Sequence, residues 1–219
     1  MNRFYLLLGL VAVVGVGVLV YMATGRGAVS IPVNVVVTDA DTAGFRGYLI
    51  GSPDAPVEIT EYADYQCPSC MNFATVQFPD VKTRLIETGR LRWRYRDFPL
   101  DFPSSRLAMH AAACADDQGQ FVPYHEQIYA RFSEWSRGGA EGTFRRIAQA
   151  VGLDTGAYDE CMRSARHAGR IQASLEEGRR LGVGGTPTFL IAGRLYDAGL
   201  NYDQIRRLVD SLAPVTPAP

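Results

Sequence analysis

Lysine is almost missing from this chain of 219 residues: Lys82 is the only one, and the rest of the side-chain positive charge is arginine. That scarcity removes lysine from most catalytic roles. Histidine is nearly as rare, and His110, His125 and His167 form no second ligand pair of C-x-x-C or H-x3–5-H spacing. A zinc or copper site needs two more ligands at local spacing than any one cysteine pair here provides. Net charge is nearly absent too, at −1, and neither a basic footprint for nucleic acid nor an acidic tail is evident. No internal repeat is visible. What the chain does have is apolar content, 47% of its residues, enough for one core of ordinary size.

The apolar residues are unevenly spread. Phe4 to Met22 is an uncharged run of 19 residues, and at ~1.5 Å per residue it reaches about 28 Å, close to the hydrocarbon thickness of a bilayer. Residues 1–23 therefore read as one N-terminal transmembrane helix. A cleaved signal sequence is the alternative, but the run exceeds the usual apolar region of about 7–15 residues, and Ala23-Thr24-Gly25-Arg26 offers no clear A-x-A exit. Arg3 precedes the run and Arg26 follows it, a weak preference for an inside amino terminus. The globular part would then lie outside the cytoplasm, where thiols are commonly oxidised, which suits four cysteines. Residues 24–46 read as a linker in which Val33 to Val37 is either a terminal strand or extended chain, and 214–219 as a disordered tail.

Four cysteines include one local pair, in Tyr65-Gln66-Cys67-Pro68-Ser69-Cys70. If a strand ends near Asp64, Cys67 stands at the start of the next helix with Pro68 at its first position, where proline costs no hydrogen bond. A sulfur there faces free N–H groups and the positive helix end, so its pKa falls below the ordinary value of about 8.5 and it is nucleophilic near neutral pH. Cys70, one turn further in, is placed to resolve a mixed disulfide formed at Cys67. A purely structural bridge is the competing reading, but so small a loop stabilises little.

The rest of the pattern supplies a frame for this pair. Gly51 to Pro56 is turn chemistry, and Val57, Ile59 and Tyr62 begin a strand leading to Cys67. From Pro68 to Gly89 the periodicity predicts a helix kinked or split at Pro79. Leu91, Trp93 and Tyr95 alternate with Arg92, Arg94 and Arg96, the signature of a strand with one solvated face. Helices are predicted over Ser104 to Gln118, Phe121 to Phe132, Glu141 to Val151 and Thr155 to Leu181, with Ser104 and Thr155 as N-caps. A strand at Thr186 to Ile191, a return through Leu195-Tyr196 and a helix from Tyr202 to Leu212 complete an α/β chain of βαβ, helices, then ββα.

Cys67-Pro68-Ser69-Cys70 at a strand-to-helix junction, followed by Gly185-Thr186-Pro187-Thr188 before a late strand, resembles the DsbA-like branch of the thioredoxin-fold oxidoreductases, and its membrane-tethered members most. The resemblance covers about residues 47–213, with a helical insertion at about 104–181. It implies a thiol:disulfide oxidoreductase without cofactor, in which Cys67 is the nucleophile and Cys70 the resolving thiol. It places Pro187 at the family's cis-proline and Thr186 where main-chain groups meet an extended substrate, beside Pro68 and Ser69. It puts Glu61 at the buried acid that assists proton transfer, with an ordinary strand-end carboxylate as the alternative; Glu58 points the other way and reads as solvated. It further implies a structural disulfide between Cys114 and Cys161, worth about 4 kcal/mol in the loop-entropy model, against two buried free thiols. His110 reads as a packed helix residue, and Tyr124, His125 and Tyr129 as core and rim.

The partners implied are reduced or misoxidised proteins and a membrane redox partner: quinone-linked and DsbB-like, VKOR-like, or a donor of reductant. Many oxidising members carry histidine where this chain has Ser69, which leaves oxidase, reductase and isomerase directions open. A non-catalytic binding platform and a metal chaperone are the alternatives from other classes.

Overall fold

The computed structural model describes residues 2–24, 29–197 and 199–212. The first helix, α1, is Asn2–Thr24; the side chains of residues 2–4, 6 and 18–24 lie outside the description. Among the described residues no helix is long and apolar enough to cross a membrane. The anchor expected over Phe4 to Met22 thus has no support from them. The expected tail at 214–219 also lies outside the described residues.

Among the described residues between α1 and the first strand there is one short helix, α2 (Asp39–Thr42), closed by a Thr38–Asp41 capping box. Val33 to Val37 is not a strand. Five strands follow: β1 (Tyr48–Ile50), β2 (Val57–Ala63), β3 (Leu91–Asp97), β4 (Thr188–Ile191) and β5 (Arg194–Tyr196). They form one sheet in the order β1-β3-β2-β4-β5, in which β2 and β3 run parallel and every other pair is antiparallel. This central parallel pair is the one a helical crossover must join, and the chain from Pro68 to Ile86 does so.

That crossover is divided around Pro79 into α-helical and π-helical segments rather than being one regular helix. It runs through α3 (Pro68–Asn72), a π-helical turn (Phe73–Gln77), α4 (Phe78–Val81) and a second π-helical turn (Lys82–Ile86). Pro79 falls in the first turn of α4, directly after the wide turn, where the shifted hydrogen-bond register absorbs its missing N–H. The insertion comprises α5 (Ser105–Asp116), α6 (Phe121–Ala130), α7 (Phe132–Trp135), α8 (Ala140–Ala150), α9 (Thr155–Ser164) and α10 (Ala168–Leu181). The single helix expected from Thr155 to Leu181 is broken at Ala165, which adopts φ 49°. One expected cap is corrected as well. Asp154, not Thr155, caps α9 by accepting from the N–H groups of Gly156 and Ala157; Ser104 holds the N-cap position of α5 as expected, without a side-chain cap bond. The last helix, α11, is Tyr202–Leu212 as expected.

The core lies on both faces of the sheet. On one face Ile59, Trp93 and Phe189 pack against Phe73 and Phe78 of the crossover. On the other, Tyr62 and Phe98 pack with Leu175 and Val183. Gly178 of α10 lies so close to this second group that a Cβ there would sit 2.7 Å from the Phe98 ring. The expected solvated face of β3 is also modified. Arg92 and Arg94 both grip Glu58, and Arg96 pairs with Glu177 while only 5% exposed. Glu58 is therefore ion-paired and half-buried rather than freely solvated, and the Arg94 hydrogen bond leads in holding its carboxyl down at about 2.

Candidate active site

The end of β2 is tied down by a single side chain. Asp64 is fully buried. It accepts from the Gln66 N–H at 2.8 Å, the Leu100 N–H at 2.7 Å and the Ser105 hydroxyl at 2.6 Å. Burial raises its pKa, and the three donors offset that rise only in part. Gln66 extends the brace: its amide donates to the Ser136 carbonyl at 2.8 Å and accepts from the Ser104 N–H at 2.6 Å. Neither residue stood out in the sequence, since most of their partners are distant: Leu100 lies beyond β3, and Ser104, Ser105 and Ser136 lie in the insertion. Only the Asx-turn pattern of an aspartate two residues before a turn N–H hinted at the first.

This brace delivers Cys67 to the N-cap of α3 with Pro68 following. Its thiol donates to the Thr186 carbonyl across 3.5 Å. A hydrogen bond from the Cys70 side chain is the largest influence on its acidity, joined by Thr186 and the N–H groups of Cys70 and Ser69; together they outweigh burial and bring Cys67 down to about 5. Cys70 is fully buried, and burial first, then the hydrogen bond and charge of Cys67, push its thiol well above the ordinary range. Both are free thiols in this structure. The two sulfurs thus differ in opposite directions within one helical turn.

Glu61 lies on the core face of β2, 4% exposed, and accepts from the Trp93 indole N–H at 3.0 Å. Burial raises its pKa to about 8 against the smaller opposing effect of that bond. The Thr186–Pro187 peptide is cis, and Thr186 lies beside both sulfurs, lowering the pKa of each. A groove of about 520 Å³ opens beside the thiols, walled by Pro68, Ser69, Phe73, Gln77, Pro187 and Leu200.

The remaining two cysteines are elsewhere. Cys114 of α5 and Cys161 of α9 are joined by a disulfide with Cα atoms 5.8 Å apart. His110 and His167 stand beside it, the His110 Nε2 accepting from the His167 N–H at 3.3 Å. With the two sulfurs bonded to each other, neither is free to serve as a thiolate ligand there. Tyr124, His125 and Tyr129 are all buried, and each makes a polar bond: Tyr124 with Tyr158, His125 with Tyr65, and Tyr129 with Tyr95.

Residues 45–211 match the sequence pattern of the family described as thioredoxin. The chain belongs to the thioredoxin family. The resemblance to its DsbA-like branch is borne out by relatives on either side. Disulfide bond formation protein D of Bacillus subtilis is 23% identical over 168 residues, covering 74% of this chain and 75% of that protein. The crystal structure of oxidised BdbD from Bacillus subtilis superposes with a TM-score of 0.70 at 20% identity, covering 80% of this chain and 95% of that one. Na(+)/H(+) antiporter NhaA 3 of Salinispora tropica is 30% identical over 168 residues, 76% of this chain. The thioredoxin-family chain spans about a quarter, 24%, of that antiporter's length.

Proposed function

We propose that this protein is an extracytoplasmic thiol–disulfide oxidoreductase that donates the Cys67–Cys70 disulfide to reduced protein substrates. The observation that carries the reading is the opposed pair of thiols, with Cys67 held at about 5 at a helix start and Cys70 buried and raised. A thiolate stabilised in the reduced form makes its disulfide the stronger oxidant. The names of the Bacillus subtilis relatives point the same way. Antiport is not carried over, since only about a quarter of the antiporter is matched.

In the proposed reaction a substrate thiolate attacks Cys67 Sγ and breaks the Cys67–Cys70 bond. Cys70 leaves as a thiolate that its buried position disfavours, and Glu61, protonated below about pH 8, supplies the proton. A second substrate thiolate then attacks the mixed disulfide, releasing the Cys67 thiolate and an oxidised substrate. The groove beside Pro68 and Ser69, with Thr186 and Pro187, takes the extended substrate backbone. Re-oxidation falls to a membrane redox partner of the DsbB-like or VKOR-like kind. Tethering through residues 4–22 is supported by the apolar run of 19 residues in the sequence.

The test is the Cys67–Cys70 reduction potential of the full chain, equilibrated against glutathione and dithiothreitol, with Cys114 and Cys161 followed separately. A value of about −200 mV or higher is expected for a disulfide donor. One near or below about −270 mV would overturn that direction and make the protein a reductase.

A further inference from the structure

The corner that joins α5 to α9 and α10 holds more than a disulfide. His110 and Cys114 of α5 and Asp117 at its C-cap follow one another at spacings of four and three residues, which puts them on one helical stripe. Cys161 of α9 and His167 at the N-cap of α10 meet that stripe from the other side. The ligand atoms of His110, Cys114 and Cys161 all lie within 4.8 Å of one another, and so do those of Asp117, Cys161 and His167. Cys161 belongs to both groups. Cys161 is 47 residues from Cys114, so no short zinc spacing announces the cluster in the sequence.

The separations suit a single ion. Bonds of about 2.0–2.3 Å to nitrogen, oxygen and sulfur make the edges of a zinc tetrahedron about 3.3–3.8 Å long. His110 Nδ1 lies 3.5 Å from Cys114 Sγ, and Asp117 Oδ2 lies 3.6 Å from Cys161 Sγ. His167 Nε2 stands 2.7 Å from the same Asp117 oxygen and orients the carboxylate. Charge balances as well. Two thiolates and Asp117 carry three negative charges, against two on Zn2+ and one on Arg166, which is ion-paired with Asp117. Both sulfurs are buried, but the Asp117 and His167 side chains remain 28% and 12% exposed and leave an ion a way in.

We infer that reduction of the Cys114–Cys161 bridge turns this corner into a Zn2+ site, with Cys114, Cys161, His110 and Asp117 as ligands and His167 holding Asp117. The inference concerns the insertion and does not depend on the direction of exchange at Cys67–Cys70. A dithiol supplies two electrons and two protons to the S–S bond and is itself oxidised to a disulfide. The two cysteine thiols then lose their protons to solvent as the thiolates bind the ion, whose own oxidation state does not change. Neutral His110 offers Nδ1 with its proton on Nε2, so the 3.3 Å bond from the His167 N–H to Nε2 is given up on binding. Two sulfurs, one imidazole and one carboxylate in a tetrahedron favour zinc over the harder divalent cations. The ion ties α5 to α9 where the covalent bridge did, and while the bridge is closed no thiolate is available to it. The insertion thus has two alternative staples, one for each redox state of its cysteines.

The experiment uses the full chain with Cys67→Ser and Cys70→Ser, so that the other two thiols take no metal. The protein is reduced with dithiothreitol, freed of reductant without oxygen, and titrated with Zn2+ against a chromophoric chelator and separately with Co2+. One Zn2+ per reduced chain is expected, bound at least about a hundredfold more tightly than by the oxidised protein. Co2+ should give thiolate charge-transfer and tetrahedral d–d bands in the reduced form alone. His110→Ala and, separately, Asp117→Asn should each weaken Zn2+ binding about tenfold or more. Asp117 lies at the surface, so the second variant carries the test if His110→Ala does not fold. A reduced chain that takes up no stoichiometric Zn2+ overturns the inference, as does equal uptake by the oxidised protein or an affinity that neither variant changes. A bridge that dithiothreitol does not open in the folded chain overturns it too. Should the reduced chain unfold without metal, Zn2+ is expected to restore its circular dichroism, because binding energy at such a site is folding energy; a chain that stays unfolded with Zn2+ overturns the inference.

Discussion

The two cysteine pairs are almost equally hidden, yet only one is built to react. Cys67 is 6% exposed and Cys70, Cys114 and Cys161 are 0–1% exposed, so burial does not separate them. Position on the helix does. Cys67 caps α3, where N–H groups converge on its sulfur and a groove opens beside it, whereas Cys114 and Cys161 lie inside α5 and α9, whose local N–H groups are spent in the helix. Loop length separates them in the opposite sense: the α5–α9 bridge spans 47 residues and constrains the unfolded chain strongly, while the Cys67–Cys70 loop constrains it little. One pair is placed for thiolate chemistry and the other for stability.

Removing each pair in turn tests that contrast and has the largest expected effect. Cys67→Ser should abolish exchange with dithiol substrates, while Cys70→Ser should leave a nucleophile that stalls as a mixed disulfide visible by mass spectrometry. Cys114→Ala with Cys161→Ala should keep exchange within a few-fold and lower unfolding stability by about 4 kcal/mol in denaturant titrations, less any strain relieved. Exchange lost in the double alanine variant while it remains folded would break the comparison.

The second prediction sharpens it on pH. Glu61 has a folded pKa raised to about 8 from 4.5, so the folded state binds more protons than the unfolded one between those values. Its contribution is full at low pH and is lost as pH rises through about 8. In oxidised protein, where no cysteine titrates, Glu61→Gln should flatten the fall in stability from about pH 5 to 8 and gain at the upper end. If one pH unit of the shift survives relaxation, the gain is about 1.4 kcal/mol. Cys67 acts with the opposite sign and only in reduced protein: its lowered pKa stabilises that form above about pH 9, and the effect is lost as pH falls through about 5. Equal pH slopes for oxidised wild type and Glu61→Gln would show that Glu61 does not titrate as buried acid.

Much of this site was legible because its signals are local. The C-x-x-C pair with proline, the Gly185-Thr186-Pro187-Thr188 turn and the alternation of Leu91, Trp93 and Tyr95 each carry their physical meaning within a few residues. What was missed depends on distant or silent positions. The break between α9 and α10 falls at Ala165 in a stretch with no proline or glycine at the turn, so periodicity reads straight through it. Pro79 signals a kink or split, but nothing local announces the π-helical turns that flank its short α-helical segment. Arg96 looks like its solvated neighbours until Glu177, 81 residues away, is brought beside it. The same holds for Gln66, for the bonds of Asp64 to Leu100 and Ser105, and for the Tyr65–His125 bond across 60 residues, all of which join distant positions.

The smallest effect concerns Ser69, the position where many oxidising relatives of this kind were expected to carry histidine. Ser69 is exposed at the start of α3, so a cation placed there would act through solvent-screened charge. Cys67 is already brought down to about 5 without it, by the Cys70 hydrogen bond, Thr186 and helix N–H groups. Ser69→His should therefore lower the Cys67 pKa, read by thiolate absorbance, by less than about one unit. The reduction potential should rise by at most about 30 mV, the equivalent of 1.4 kcal/mol for a two-electron couple. A rise several times larger would mean that the helix start alone does not account for the difference between the two cysteine pairs, and that a charge at position 69 is the missing element. No change in Cys114–Cys161 should accompany either outcome, since that bridge lies in the insertion and shares none of the donors around Cys67.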